Sequence, residues 1–361
     1  MTFSTPALTR IAALMLKESR QLLRDRATFG MLLGIPILQI ALFGCAIELA
    51  PHSLQVSVIA TDQEHFVRVQ RLLRPYEGSV RVSRTASQSA AMTALRRGST
   101  LMVVDADSQP PIVYLDATDP VLETQAESMI GGVVRSVSGP VEDEATAPLF
   151  YVNRLYNPGL RTQPFMVSGL MGVILTMSLV MMSALTISRE RERGTLDGLL
   201  STPVRPLELW VGKLAPYVVL GIIQASLVLV VARFAFYIYP LGSILLLGIG
   251  TLVFASANLA LGFLFSCVAR QQMQAMQMTF FFFLPSSLLS GFMFPFSAMP
   301  RWAQRLAEML PLTHYLRVVR GILLRGVDAP FVLQELIPIG IFAACATGAS
   351  LIVWRRAIAS T

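Results

Sequence analysis

The chain has 361 residues, 54% of them hydrophobic and 14% charged, with a mean hydropathy of +0.60 and a formal net charge of +7. Soluble proteins carry about 25% charged residues, so this much apolar surface cannot be hidden in one soluble core. Disorder, a collagen-like repeat and a disulfide scaffold are excluded by the same figures, which leaves a polytopic α-helical membrane protein with one polar domain.

Residues 1–26 read as a cytoplasmic amphipathic helix lying in the membrane interface. On a helical wheel Arg10, Lys17, Arg20, Gln21 and Arg24 share one side, with Leu8, Ile11, Met15 and Leu22 opposite. Thr5-Pro6 supplies an N-cap and an N1 proline. The plainer alternative is a basic flank that only sets topology. The first span follows at 27–49. Its long basic flank and 21-residue charge-free stretch (27–47) exceed what a signal peptide needs. Leu42-Phe43-Gly44-Cys45 makes a poor lipoprotein cleavage box, because Phe precedes the Gly.

Residues 50–161 form an extracytoplasmic domain. Val56–Ala60, Val80–Ser83, Leu101–Val104 and Ile112–Leu115 read as strands; Asp62–Arg74, 87–97 and Asp119–Val137 read as helices. Strands alternating with helices predict a small α/β fold. Asp105, Asp107, Asp116 and Asp119 sit at strand ends as solvated turn residues, and Pro140–Pro148 is a loop. All three cysteines, Cys45, Cys267 and Cys345, lie in apolar segments, so the domain folds without disulfides. No Cys/His pattern predicts a metal site.

The remaining spans are 162–188, 214–237, 241–268, 271–297 with a re-entrant portion, and 333–354. That makes six transmembrane helices, each long enough for about 30 Å of hydrocarbon. The charge-free interval 234–269 is too long for one helix and turns at Tyr239-Pro240-Leu241-Gly242, with Arg233 snorkelling at a span's outer end. Thirteen Lys and Arg in the short segments of one side outnumber six on the other, which places both termini in the cytoplasm, including the tail 355–361. The charge is spread over both faces with no Arg/Lys run interleaved with aromatics, so nucleic acid is not a partner.

The loop 189–213 carries the most information. Arg189, Glu190, Arg191, Glu192 and Arg193 continue the second span out of the bilayer, with Arg189–Glu192 and Glu190–Arg193 as i,i+3 pairs. Gly194 breaks the helix, and Thr195 caps a short second helix showing Leu196, Leu199 and Leu200 on one side. Such a leucine face can be gripped by a soluble partner or pack on the protein's own surface. The residues leave both open.

In the fifth interval Pro285, Gly291, Pro295 and Pro300 break the helix. Broken backbone at membrane depth is tolerated where it lines a cavity or packs in protein. The reading is a crossing by Met273–Leu284, re-entry as short helices, Trp302–Leu310 at the outer surface, and an external gate completed by Pro311–Gly326 within the external stretch 298–332. An ordinary kinked helix followed by a loop is the alternative. The gate residues are Pro285, Gly291, Pro295, Pro311, Tyr315 and Arg320. Ten of 17 methionines fall in 166–182 and 273–299, and Met repacks around varied ligands. Met177, Met181, Phe280 and Phe283 are therefore candidates for an apolar export path, with lipid-facing or interhelical filler as the alternative.

Asn157-Pro158, Phe165–Leu170, Arg189–Leu196, Thr202-Pro203 and Gly212-Lys213 resemble the permease subunits of type-2 ABC exporters. Leu288–Phe292, Phe294-Pro295, Met299-Pro300, Pro311–Leu316, Arg320-Gly321-Ile322 and Arg325-Gly326 resemble that family's C-terminal half. Ser168 departs from it, where these permeases often have Pro. The resemblance implies that 189–203 couples to ABC ATPase subunits, that a second permease copy or close paralogue faces this one, and that export is the direction. It also implies a periplasmic adaptor and outer-membrane channel as partners of the external domain. No GxxxxGK[ST] occurs, so ATP and Mg belong to the partner and this chain is a non-catalytic subunit. An ion-driven transporter would want ionisable groups at mid-membrane, and the spans have none there. A membrane-anchored sensor is the third class, and it leaves the broken fifth span unexplained.

Overall fold

A computed structural model describes residues 7–24, 34, 37, 54–74, 80–85, 87–108, 111–116, 118, 126, 129–130, 151–155, 162–196, 198, 205–294, 296 and 299–359. The first expected span, 27–49, lies outside them apart from Gly34 and Ile37. So do Thr5-Pro6, Cys45, Pro140–Pro148 and most of Asp119–Val137.

The chain opens with α1 (Ala7–Arg24). Five strands follow: β1 (Leu54–Ile59), β2 (Val80–Thr85), β3 (Met102–Asp105), β4 (Ile112–Asp116) and β5 (Tyr151–Leu155). Between them lie α2 (Gln63–Leu73) and α3 (Gln88–Arg96). The sheet order is β2-β1-β3-β4-β5, parallel except for the β3–β4 pair. Alternation along the strands puts Val56, Val58, Met102, Val104, Val113 and Leu115 against Val69 and Leu73 of α2. Ile59 and Val103 meet Ala91 and Leu95 of α3 in a separate cluster. Both faces are covered, as parallel strands require. Strand β5 has no counterpart among the four strands expected from the sequence.

Among the described residues, four helices are long and apolar enough to cross a membrane: Gln163–Glu192, Pro206–Ala235, Ile244–Val268 and Ala329–Arg355. They belong to α4 (Thr162–Glu192), α5 (Pro206–Ala235), α6 (Ile244–Val268) and α10 (Ala329–Ala359). The 31 residues of α4 extend about 46 Å, so its last turns project beyond a ~30 Å hydrocarbon layer. Small residues let α4 and α6 approach closely: Gly262 of α6 lies against Ser183 and Val180 of α4.

The fifth interval departs from expectation in one respect. Helix α7 (Gln272–Leu289) runs unbroken past Pro285 instead of ending at Leu284. One missing hydrogen bond at an exposed proline does not end an 18-residue helix. The chain turns instead at Ser290–Gly291, where φ of +86° favours glycine. Two short helices follow, α8 (Arg301–Ala307) and α9 (Pro311–Arg320), then a π turn at Gly321–Arg325 closed by Gly326 in the left-handed region. Helix α9 is buried along most of its length and packs against α4, α6 and α10. Tyr315, fully buried, stacks on Phe254 at 4.0 Å and shares a 2.8 Å hydrogen bond with Thr251.

The bundle therefore has two distinct ends. Helix α1, the end of α4 and the start of α5 mark one. The α/β domain marks the other, where Arg325 donates to Asp116 Oδ2 at 2.6 Å and Arg96 donates to the Gly326 carbonyl.

Candidate functional site

At the α1 end, α4 runs out to Glu192 and stops where Gly194 takes φ of +68°. The charges on this last turn do not form the i,i+3 pairs expected between Arg189 and Glu192 or Glu190 and Arg193. They reach other elements instead, because neighbouring helix ends offer closer partners than the solvated helix surface. Glu190 accepts from Lys17 Nζ at 2.6 Å, from Thr195 Oγ1, and from Lys213 Nζ at 3.4 Å. Arg191 donates to the carbonyl of Ala269, beyond the end of α6. Glu192 accepts the Gln272 amide at 2.6 Å and its side-chain amide as well, so it caps the start of α7. Arg189 and Arg193 line a basic groove with Lys17, Arg20 and Arg24 of α1.

Lys213 sits at the centre. Only 1% of its side chain is exposed, and Nζ lies 2.5 Å from Glu18 Oε1. Tyr217 donates to the other Glu18 oxygen at 3.4 Å. A second link, Arg10 to Glu208, is bidentate at 2.7 and 2.9 Å, and Glu208 also accepts the Arg205 amide. Desolvation works to raise the Glu190 pKa, but the bonds from Lys17 and Thr195 and the nearby Lys213 outweigh it and hold the carboxyl at about 2. Arg10 and the Arg205 amide hold Glu208 at about 2 as well. Both are ionised throughout the neutral range.

Arg10 pairs with Glu208 of α5, and Lys17, itself exposed, reaches Glu190 of α4, while Leu8, Leu16 and Leu23 are exposed. Leu14 packs against Gly212. The cluster was the part that sequence reasoning missed. Its signal was there: Glu18 is the lone acid in 1–24, and Glu208 and Lys213 stand one and a half turns apart at the mouth of an apolar helix. Leu196 is half-buried and packs against the helical core; Leu199 and Leu200 lie outside the described residues.

At the opposite end, Arg320 donates to the Gly291 carbonyl at 3.0 Å and stacks over Phe165 at 3.8 Å. Gly291, Pro311, Tyr315 and Arg320 thus belong to one packed unit. Pro285 stands apart on the exposed side of α7, and Pro295 lies outside the described residues. Met177 and Met181 are half-buried on α4; Phe280 is exposed on α7, and Phe283 packs against the core.

The family model described as ABC-2 family transporter protein matches residues 26–352. The chain belongs to the ABC-2 transporter family. It is 29% identical over 352 residues to the probable multidrug ABC transporter permease YbhS of Escherichia coli K12, covering 91% of this chain and 93% of that one. To the probable multidrug ABC transporter permease YbhR of the same organism it is 26% identical over 364 residues, covering 97% and 99%. ABC transporter G family member 20 of Dictyostelium discoideum is 21% identical over 328 residues, covering 85% of this chain and 45% of that protein. This ABC-2 permease is the membrane subunit of an ABC exporter, multi-pass in the inner membrane, and its family implies ABC ATPase partners and a dimeric arrangement.

Proposed function

We propose that the permease couples ATP hydrolysis on partner chains to outward movement of an amphipathic substrate through the segment 189–200 acting together with α1. The observation that carries this reading is the network around Glu190, Glu192 and Lys213. It ties the end of α4, the starts of α5 and α7, and α1 into one body. A displacement of 193–205 is therefore delivered to four helices at once. In this reading the α1 end faces the cytoplasm, the chain crosses six times, and the α/β domain lies outside. ATP and Mg are held by the partners, and the second permease copy or close paralogue completes the path. The multidrug relatives support a drug-like cargo, with lipids and glycans as the other classes in this reading. The α/β domain is the surface for a periplasmic adaptor leading to an outer-membrane channel.

Two measurements test the reading. Glu192→Ala and Leu196→Arg are expected to leave the protein in the membrane while ATP-dependent export falls about tenfold, the size of an ordinary coupling free energy. Full export by either variant rejects the segment as the coupling element. Met177→Ala and Phe280→Ala are expected to shift preference among exported compounds by about tenfold with ATP hydrolysis intact. An unchanged profile rejects these residues as path lining.

A further inference from the structure

A cavity of about 550 Å³ opens where the α/β domain meets α9 and α10. Its size lies within the range of small-molecule sites, about 300–1,000 Å³. Its walls combine two chemistries. Phe165, Phe296 and Phe331 supply apolar faces, and four arginines, Arg97, Arg317, Arg320 and Arg325, stand against a single carboxylate, Glu335. That carboxylate is engaged by His314 at 2.6 Å and lies 3.6 Å from Arg317. Arg317 is further held by Glu308, and Arg325 by Asp116. Arg97 makes no ion pair among the described residues, so the cavity keeps excess positive charge.

Among the described residues, Thr313 Oγ1, in a residue 1% exposed, and Arg325 Nε are buried polar atoms of the wall that find no hydrogen-bond partner. Leaving a buried donor unsatisfied is costly, and such groups in a roomy cavity call for a ligand that completes them. Gly98 belongs to the same construction. Its φ of +71° disfavours any side chain, and the Arg325 guanidinium packs close against it, 2.2 Å from where a Cβ would lie. The domain edge is thus closed onto the bundle around the arginines.

We propose that this cavity binds an amphipathic organic anion, a sulfonate, carboxylate or phosphate ester on an aromatic or short aliphatic body. The anionic group meets Arg97 and the free positions on Arg325 and Thr313, and the apolar body lies along the phenylalanines. Binding there does not depend on coupling at the opposite end. The same anionic chemistry is offered by a soluble compound or by an acidic phospholipid headgroup.

The test is calorimetric titration of the full chain in phosphatidylcholine nanodiscs with 2-naphthalenesulfonate and, as a neutral match, 2-naphthalenemethanol. The sulfonate is expected to bind about tenfold more tightly than the alcohol, the scale of one charge-assisted hydrogen bond. Arg97→Gln, at an exposed position, and Thr313→Val, which is nearly isosteric, should each weaken sulfonate binding severalfold. Thr313→Val should leave the melting temperature unchanged or higher, since it removes an unpartnered hydroxyl. A structural role alone would instead lower it. Adding phosphatidylglycerol distinguishes the sources: competition assigns the site to a lipid headgroup, and its absence to a soluble anion. No sulfonate binding, equal affinity for the alcohol, or binding indifferent to both variants overturns the proposal.

Discussion

Lys213→Met is expected to be among the most destabilising single changes in this protein, and to abolish coupled transport with it. The ammonium is 1% exposed and lies between Glu18 and Glu190. Removing it leaves the buried Glu18 carboxylate without a cation, while Glu190 keeps Lys17, and breaking a buried ion pair from one side costs about 3–5 kcal/mol. Without its cation Glu18 gains by turning out toward water, which releases α1 from α5. That frees α1, and the joint motion of four helix ends is lost. Thermal unfolding of the purified permease in nanodiscs checks the first effect, and ATP-driven uptake into inverted vesicles checks the second. The compensating variant decides the cause. Lys213→Met combined with Glu18→Gln removes one orphaned charge and should recover more than half of the lost stability. If the double variant is as unstable as the single one, the loss lies in the Lys213 stem's packing and not in charge balance.

The two ends of the molecule differed in how far the sequence exposed them. Helices α4, α5, α6 and α10 could be read from charge-free intervals, because a bilayer imposes a length and a composition that local sequence must satisfy. Strands β1–β4 showed through alternation and β-branched content. Strand β5 did not, since Tyr151-Val152-Asn153-Arg154-Leu155 is short, half polar, and becomes a strand only by pairing with β4, 39 residues earlier in register (Ile112 opposite Tyr151). Glu190 and Glu192 lie on the last turn of α4, and their partners differ from those that the sequence spacing predicts. An i,i+3 rule sees only one helix. The partners Lys17, Lys213 and Gln272 come from three other helices, and that proximity exists only after the bundle has packed. The turn after α7 shows the same limit: both Pro285 and Gly291 are breakers by type, and only the backbone conformation shows that the glycine is where the helix ends.

Gly262→Ala is expected to lower stability by about 3 kcal/mol, at the upper end for overpacking a close contact. An alanine Cβ at this position would lie 1.9 Å from Ser183 Oγ and 2.3 Å from the Val180 carbonyl oxygen of α4. The hydroxyl could rotate away, but the carbonyl belongs to a helix backbone and cannot yield without separating α4 from α6. Ser183→Gly should therefore rescue Gly262→Ala only in part. Gly248→Ala in the same helix is the control: nothing lies within 4 Å of its added Cβ, so it should be neutral or stabilise by up to about 1 kcal/mol through helix propensity. The functional consequence follows from the next turn of α6. There Ser266 Oγ accepts the amides of Ile187 at 2.7 Å and Ser188 at 3.1 Å, immediately before the segment that carries Glu190 and Glu192. Spreading the crossing at Gly262 pulls that serine off α4 and shifts the coupling turn relative to α5 and α7. Among molecules that remain folded at low temperature, export per ATP hydrolysed should then fall for Gly262→Ala and stay normal for Gly248→Ala. Equal coupling in the two variants would mean that the α4–α6 crossing holds the bundle together without transmitting motion from the cytoplasmic end.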